Sequence, residues 1–183
     1  ISQLLDFSRI RSGTVRLEPR RVDLGEVFRN AIAEVRQAVP DACIEMQVDG
    51  NLLTALDYDR MAQVVSNLLS NAVQHGHRGE VVTVALDGRD DEFVRAEIAN
   101  RGSITAEARA RLFEPFRAHT AGNDGLGLGL YIVARFVEAH QGRVFVDTDE
   151  EGQVVFGFTI PRRQSAEFRQ REDAPRLAIS PQR

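Results

Sequence analysis

The second half of the chain carries its strongest fold constraint. "VVTVALDG" (81–88) and "EFVRAEIAN" (92–100) alternate around a polar turn at 88–91, and "GRVFVDTD" and "GQVVFGFTIP" do the same around 148–152. Period-two alternation marks strands with one covered face, and two such hairpins predict antiparallel pairing. Earlier strands are expected at 20–23, in "CIEMQVD" (43–49) and at 53–56. Between the strands the period becomes helical: 24–39, capped by Asp23 and closed by Pro40; about 18 residues within 57–76, capped by Asp57 or Asp59; 105–112; and 127–140. Helices and strands in this order predict an α/β two-layer sandwich. Its sheet is mixed and mostly antiparallel, with helices on one face.

The ends have a different character. "ISQLLDFSRIRS" (1–12) has apolar positions 1, 4, 5, 7 and 10 and stops at Gly13, as the last turns of an amphipathic helix would. A stripe already running at Ile1 reads as a segment cut from a longer protein. Residues 14–23 read as a linker leading into the first strand, 24–161 as the main domain, and 162–183 as a polar tail expected to be disordered.

Composition excludes several classes. The net charge of −4 argues against a nucleic-acid or anionic-membrane partner. All basic residues are arginine, which removes the lysine-dependent Walker phosphate loop and the eukaryotic-type protein kinase. No apolar run approaches the ~18 residues of a membrane span. Cys43 is the single cysteine, so a reducing, cytoplasmic location is expected, with Cys43 as a small core residue of a strand.

The helix within 57–76 carries an unusual edge. Met61, Val64, Val65, Leu68, Leu69, Ala72 and Val73 form a buried stripe, flanked by Arg60, Gln63, Asn67, Asn71 and Gln74. Asparagine is weaker than alanine inside a helix by roughly 0.5 kcal/mol, so two of them at i, i+4 either present amide oxygens to something or form a solvated flank. Amide oxygens suit a hard divalent cation shared with substrate phosphates.

Three further stretches have chemical content. In "GNDGLGLGLYIV" (122–133), Gly125, Gly127 and Gly129 precede a helix whose N-terminus favours phosphate, and glycine lets backbone approach an anion closely. Residues 117–125 have no period and read as a mobile loop. "AEIANRGSIT" (96–105) ends a strand in Asn100-Arg101-Gly102, either an amide that reads a base edge or a plain strand exit. "RLFEPF" (111–116) presents Phe113 and Phe116 around a Glu-Pro turn.

Taken in order, these stretches resemble the catalytic and ATP-binding domain of sensor histidine kinases, in the GHKL ATPase superfamily. "NLLSNA" (67–72) resembles the N box, "NRGSI" (100–104) the G1 box, "LFEPF" (112–116) the F box and "GLGLGL" (125–130) the G2 box. "LLDFSRIRSG" (4–13) resembles the end of the dimerisation and histidine-phosphotransfer helix. The resemblance spans 1–161 and implies a Bergerat fold with ATP under a lid at 114–128. It implies that Asn71 ligates Mg²⁺, and that Asn67 assists the metal or contacts phosphate and so counts as catalytic. It implies that Asn100, followed by Gly102, meets the adenine amino group, and that Phe113 and Phe116 pin the lid. The run Gly125, Leu126, Gly127, Leu128, Gly129 and Leu130 wraps the phosphates, and His75 either packs on the base edge or ends its helix.

The pattern also has departures. Asn100 replaces the usual G1 aspartate, as in some bacteriophytochrome-type kinases, and the second glycine is missing. An amide oxygen still accepts from the adenine N6 amino group, so Asn100→Asp is expected to leave ATP affinity equal or better. Gln74 and His75 stand where a lysine or arginine often follows the N box, and the positive charge on the phosphates is expected from Arg117 instead. The histidines are 75, 77, 119 and 140, none in the position of a phosphoacceptor. The resemblance therefore implies a kinase module acting on a histidine domain of the same protein, in a homodimer, with a response regulator downstream. The alternative is a catalytically degenerate module that binds nucleotide or docks. A gyrase-, Hsp90- or mismatch-repair-type ATPase would carry a glutamate where Asn67 stands.

Overall fold

The computed structural model describes residues 2–13, 15–77, 79–116, 126–149 and 152–162. The first helix, α1 (Ser2–Arg11), ends as Gly13 takes φ +69° and its N–H bonds the Ile10 carbonyl at 3.1 Å. A short strand β1 (Arg20–Asp23) leads into α2 (Leu24–Ala38), where the Asp23 carboxylate accepts the Gly25 N–H at 2.8 Å. Next come β2 (Ile44–Gly50), β3 (Leu53–Leu56) and α3 (Tyr58–His75), the helix with the asparagine edge. The first hairpin is β4 (Val82–Gly88) and β5 (Phe93–Arg101). After α4 (Ala106–Arg111) and α5 (Gly129–Ala139), the second hairpin is β6 (Arg143–Thr148) and β7 (Gln153–Pro161).

Five strands form one sheet in the order β2-β4-β5-β7-β6, with β2 and β4 parallel and the other neighbours antiparallel. Strands β1 and β3 form a separate antiparallel pair. The two-layer sandwich expected from the alternation is present. Its core lies between the sheet and α2, α3 and α5, where Phe28 of α2 stacks on Phe158 of β7 at 6.4 Å. Helix α3 is central, packed against α2 on one side and α5 on the other.

Alternation sets what the sheet buries. Val94, Ala96 and Ile98 of β5 point to the helices, and the next residue in that row is Asn100. Cys43 corrects the expectation of a core residue: it precedes β2 and is exposed, because Ile44 takes the inward position and period two turns its neighbour outward. Leu17, inside the expected linker, is buried. Arg162, the first residue of the expected tail, is also held. Its guanidinium donates to the carbonyls of Asn51 (2.6 Å), Gly88 (2.6 Å), Asp90 (2.7 Å) and Leu53 (3.1 Å). The remainder of that tail, 163–183, and the loop 117–125, with Gly125 and Arg117, lie outside the described residues.

Candidate functional site

Helix α3 organises the site, and its two halves are built differently. At the N-terminus Asp57 is the cap, as one of the two expected candidates. Its Oδ1 accepts the Arg60 N–H at 3.1 Å and its Oδ2 the Glu18 N–H at 2.8 Å. The Asp57 N–H donates to His140 Nε2 at 3.0 Å, while His140 Nδ1 lies 2.7 Å from the Phe136 carbonyl. An accepting Nε2 places the proton on Nδ1, so His140 is a neutral, fully buried link between α5 and the start of α3. Burial pushes its imidazole below the ordinary histidine range, opposed by the Phe136 carbonyl and the Asp57 charge.

Further along the same edge, Asp6 of α1 is 5 % exposed and receives hydrogen bonds from Arg60 (3.2 Å) and Gln63 (2.7 Å). Neither Asp6 nor His140 stood out in the sequence. A polar residue in an amphipathic helix reads as its wet face until a partner helix covers it.

The other half of the edge is open. Asn67 donates weakly to the Gly129 carbonyl at 3.3 Å, which joins α3 to the first residue of α5. Asn71 is half-buried, and its side chain has no hydrogen bond to another described residue. His75 is the last residue of α3 and is exposed. Helix α5, with Leu128 at its N-cap, has no side-chain cap and no acidic residue in its first turn, so among the described residues no local side chain accepts from its leading N–H groups.

Asn100 sits beside the C-terminal end of α3. It is 4 % exposed, its Nδ2 donates to the Arg101 carbonyl at 3.3 Å, and its Oδ1 is buried with no partner. The chain is close here: a methyl group on Gly102 would lie 3.3 Å from Asn100 Nδ2 and 3.5 Å from the His75 carbonyl. An acceptor left unmade in the core costs about 1–3 kcal/mol, so this oxygen is open to a donor beyond the described residues.

The glycine run has separate local causes at each position. Gly127 takes φ +64°, and its carbonyl accepts the Phe116 N–H at 3.0 Å, which ties Phe116 to the residue two before α5. Gly129 has ordinary helical geometry, and a methyl there would meet Asn67 at 3.7 Å, an ordinary contact. Leu126 is exposed, Leu130 is half-buried, and Leu128 is turned wholly into the core. Phe113 is half-buried. Phe116, at φ +62°, packs edge-on against Phe7 of α1 with ring centres 5.0 Å apart. Among the described residues no group of three His, Cys, Asp or Glu converges as a metal cluster, so a cation here would rest on amide and substrate oxygens.

Residues 56–164 match the family of histidine kinase-, DNA gyrase B-, and HSP90-like ATPases. The chain belongs to this family. It is similar to a bacteriophytochrome of Pseudomonas aeruginosa, 40 % identical over 170 residues, covering 90 % of this chain and 23 % of the relative. It is also similar to an adaptive-response sensory kinase SasA of Synechococcus, 31 % identical over 86 % of this chain and 44 % of the relative. The chain thus spans less than half the length of these relatives. Among solved structures, the mycobacterial sensor histidine kinase MprB is 28 % identical with a TM-score of 0.69, over 82 % of this chain and 100 % of that one. Full-length ShkA in complex with AMPPNP is 29 % identical with a TM-score of 0.74, over 90 % of this chain and 36 % of that one. By the family match and these relatives, the chain is a GHKL ATPase module similar to those of sensor histidine kinases. No helix of the described residues is long and apolar enough to cross a membrane.

Proposed function

We propose that the open edge of α3 holds Mg-ATP, and that the module transfers the γ-phosphoryl group to a histidine on a helical domain of the same protein. The observation that carries the reading is the buried, unpartnered Oδ1 of Asn100, an acceptor suited to the adenine N6 amino group. From Asn67, beside the start of α5, to the end of α3 beside Asn100 is about nine residues, or about 13 Å of helix, a span suited to a nucleotide lying from phosphates to base.

In this reading Asn71, free of other described partners, and Asn67 offer amide oxygens to Mg²⁺. The uncapped N-terminus of α5 and the backbone of 125–130 hold the phosphates, with Phe113 and Phe116 pinning the lid. His75 lies at the base end. Bound Mg²⁺ would neutralise charge on the β- and γ-phosphates. The chain's own task is to orient the γ-phosphorus toward a histidine nitrogen, which forms the new P–N bond as the bond to the β–γ bridging oxygen breaks and ADP leaves. Helix α1 and residues 14–23 are read as the end of the phosphoacceptor domain and its linker, the whole as a cytoplasmic homodimer that passes the phosphoryl group to a response regulator.

A titration with ATP, with and without Mg²⁺, tests the reading. Asn71→Ala is expected to weaken Mg-ATP by about tenfold or more while leaving adenosine within about twofold. Equal losses for both ligands would remove Asn71 from metal binding. ATP binding without phosphorylation of the full-length protein would leave the degenerate nucleotide-binding module as the function.

A further inference from the structure

We propose that Asp6 is a positioning residue for phosphoryl transfer: its buried carboxylate clamps α1 to the same edge of α3 that holds the nucleotide. This rests on the function proposed above and adds to it how the helical segment is held.

Arg60, Gln63, Asn67 and Asn71 step by three, four and four residues, so they lie on one face of α3. The first two hold Asp6 at 3.2 and 2.7 Å, and the last two form the open half. Asp6 is 5 % exposed while Leu4 and Leu5 are exposed, so the contact is made at an acidic position beside the packed Phe7 and Ile10. The adjacent residue, Phe7, touches both Phe116 (5.0 Å) and Tyr131 of α5 (5.6 Å). A single turn of α1 therefore grips the α3 edge with Asp6 and the entry of the loop after Phe116 with Phe7.

The chemistry of the pair is directional. A buried carboxylate needs its cation; removing Arg60 strands Asp6, whereas removing Asp6 leaves Arg60 with access to solvent and with its place over the Phe136 ring at 5.2 Å. Transfer depends on holding the acceptor segment and the phosphate in register, so a loosened α1 is read in turnover rather than in nucleotide affinity.

Amide exchange of residues 3–11, measured on this chain without nucleotide, reads the clamp alone. Asp6→Asn is expected to speed exchange about tenfold, Arg60→Gln more, and adding Asp6→Asn to Arg60→Gln to recover part of that loss. Unchanged exchange, or strictly additive effects, would overturn the clamp. In the full-length protein Asp6→Asn should lower kcat for autophosphorylation about fivefold, with KM for ATP within about twofold. An unchanged kcat with a loosened helix, or a raised one, would overturn the positioning role. An absence of ATP binding in the unaltered chain would instead remove the proposed function while leaving the exchange result intact.

Discussion

The two halves of α3 share one helical face and one kind of residue, yet the first is closed and the second open. In the first, each named polar group has a partner from elsewhere in the chain. Glu18 and His140 reach Asp57, and Asp6 reaches Arg60 and Gln63. In the second, Asn71 has no described partner, and Asn100, packed beside the helix end, keeps a buried oxygen unpaired. Buried polar groups are nearly always satisfied, so the closed half reads as structure and the open half as a place for a ligand.

The largest break in this comparison comes from the closed half. Asp57→Ala removes the cap of α3 and the acceptor for the Glu18 N–H, and is expected to lower stability by about 2 kcal/mol. Chemical denaturation checks it, and affinity for Mg-ATP at saturating fold should stay within about twofold. A large affinity loss in a fully folded variant would mean that the halves are not separate.

Asn100→Asp sharpens the open half. The equal or better ATP affinity expected of this change now meets an opposing effect, because the Nδ2 that donates to the Arg101 carbonyl becomes a second oxygen facing it. The ligand-free protein should lose about 1–2 kcal/mol, recovered in part when ATP is added. Thermal melts with and without nucleotide check this. No loss without ligand would show that the amide donor has no structural role.

The glycines divide in the same way. Gly127→Ala places a side chain at φ +64° and should cost about 1 kcal/mol of stability whatever is bound. Gly129→Ala meets no clash, so its stability should hold while ATP affinity falls about fivefold and adenosine affinity does not. Normal ATP binding by the Gly129 variant would remove phosphate approach as the reason for that glycine.

The smallest effect is His140. Because its imidazole is held below the ordinary range, the unfolded chain takes up a proton that the folded chain refuses between the folded pKa and about 6.5. Its contribution is complete above about pH 6.5 and is lost as pH falls through the folded value. Denaturation midpoints from pH 7.5 downward should decline more steeply for the parent chain than for His140→Gln. Parallel profiles would show that another group carries the acid dependence.

Much of this was legible from residue order. Period two placed β4, β5, β6 and β7; the Asp23 cap placed the start of α2, and the pair Asp57 or Asp59 that of α3 to within two residues; and the spacing of the four boxes pointed to the family. These are short-range signals, since repeat and cap are set by residues within a turn or a strand of each other. Even Asn100 was visible as a polar amide at a strand end, although whether it was a strand exit or a reader of a base was open, and only the structure put it in the inward row.

What the tertiary structure alone decided is which polar groups are satisfied. The partners of Glu18, Asp6 and His140 lie 39, 54 to 57 and 83 residues away along the chain. No local pattern encodes such distances, and the exposure of Cys43 turned on a one-residue phase of β2 against the sheet. The sequence by itself determined the elements and the family. The packing of α1, the linker and α5 against α3 decided where that helix's polar edge is closed and where it remains open, because satisfaction of a buried polar group depends on what arrives from afar.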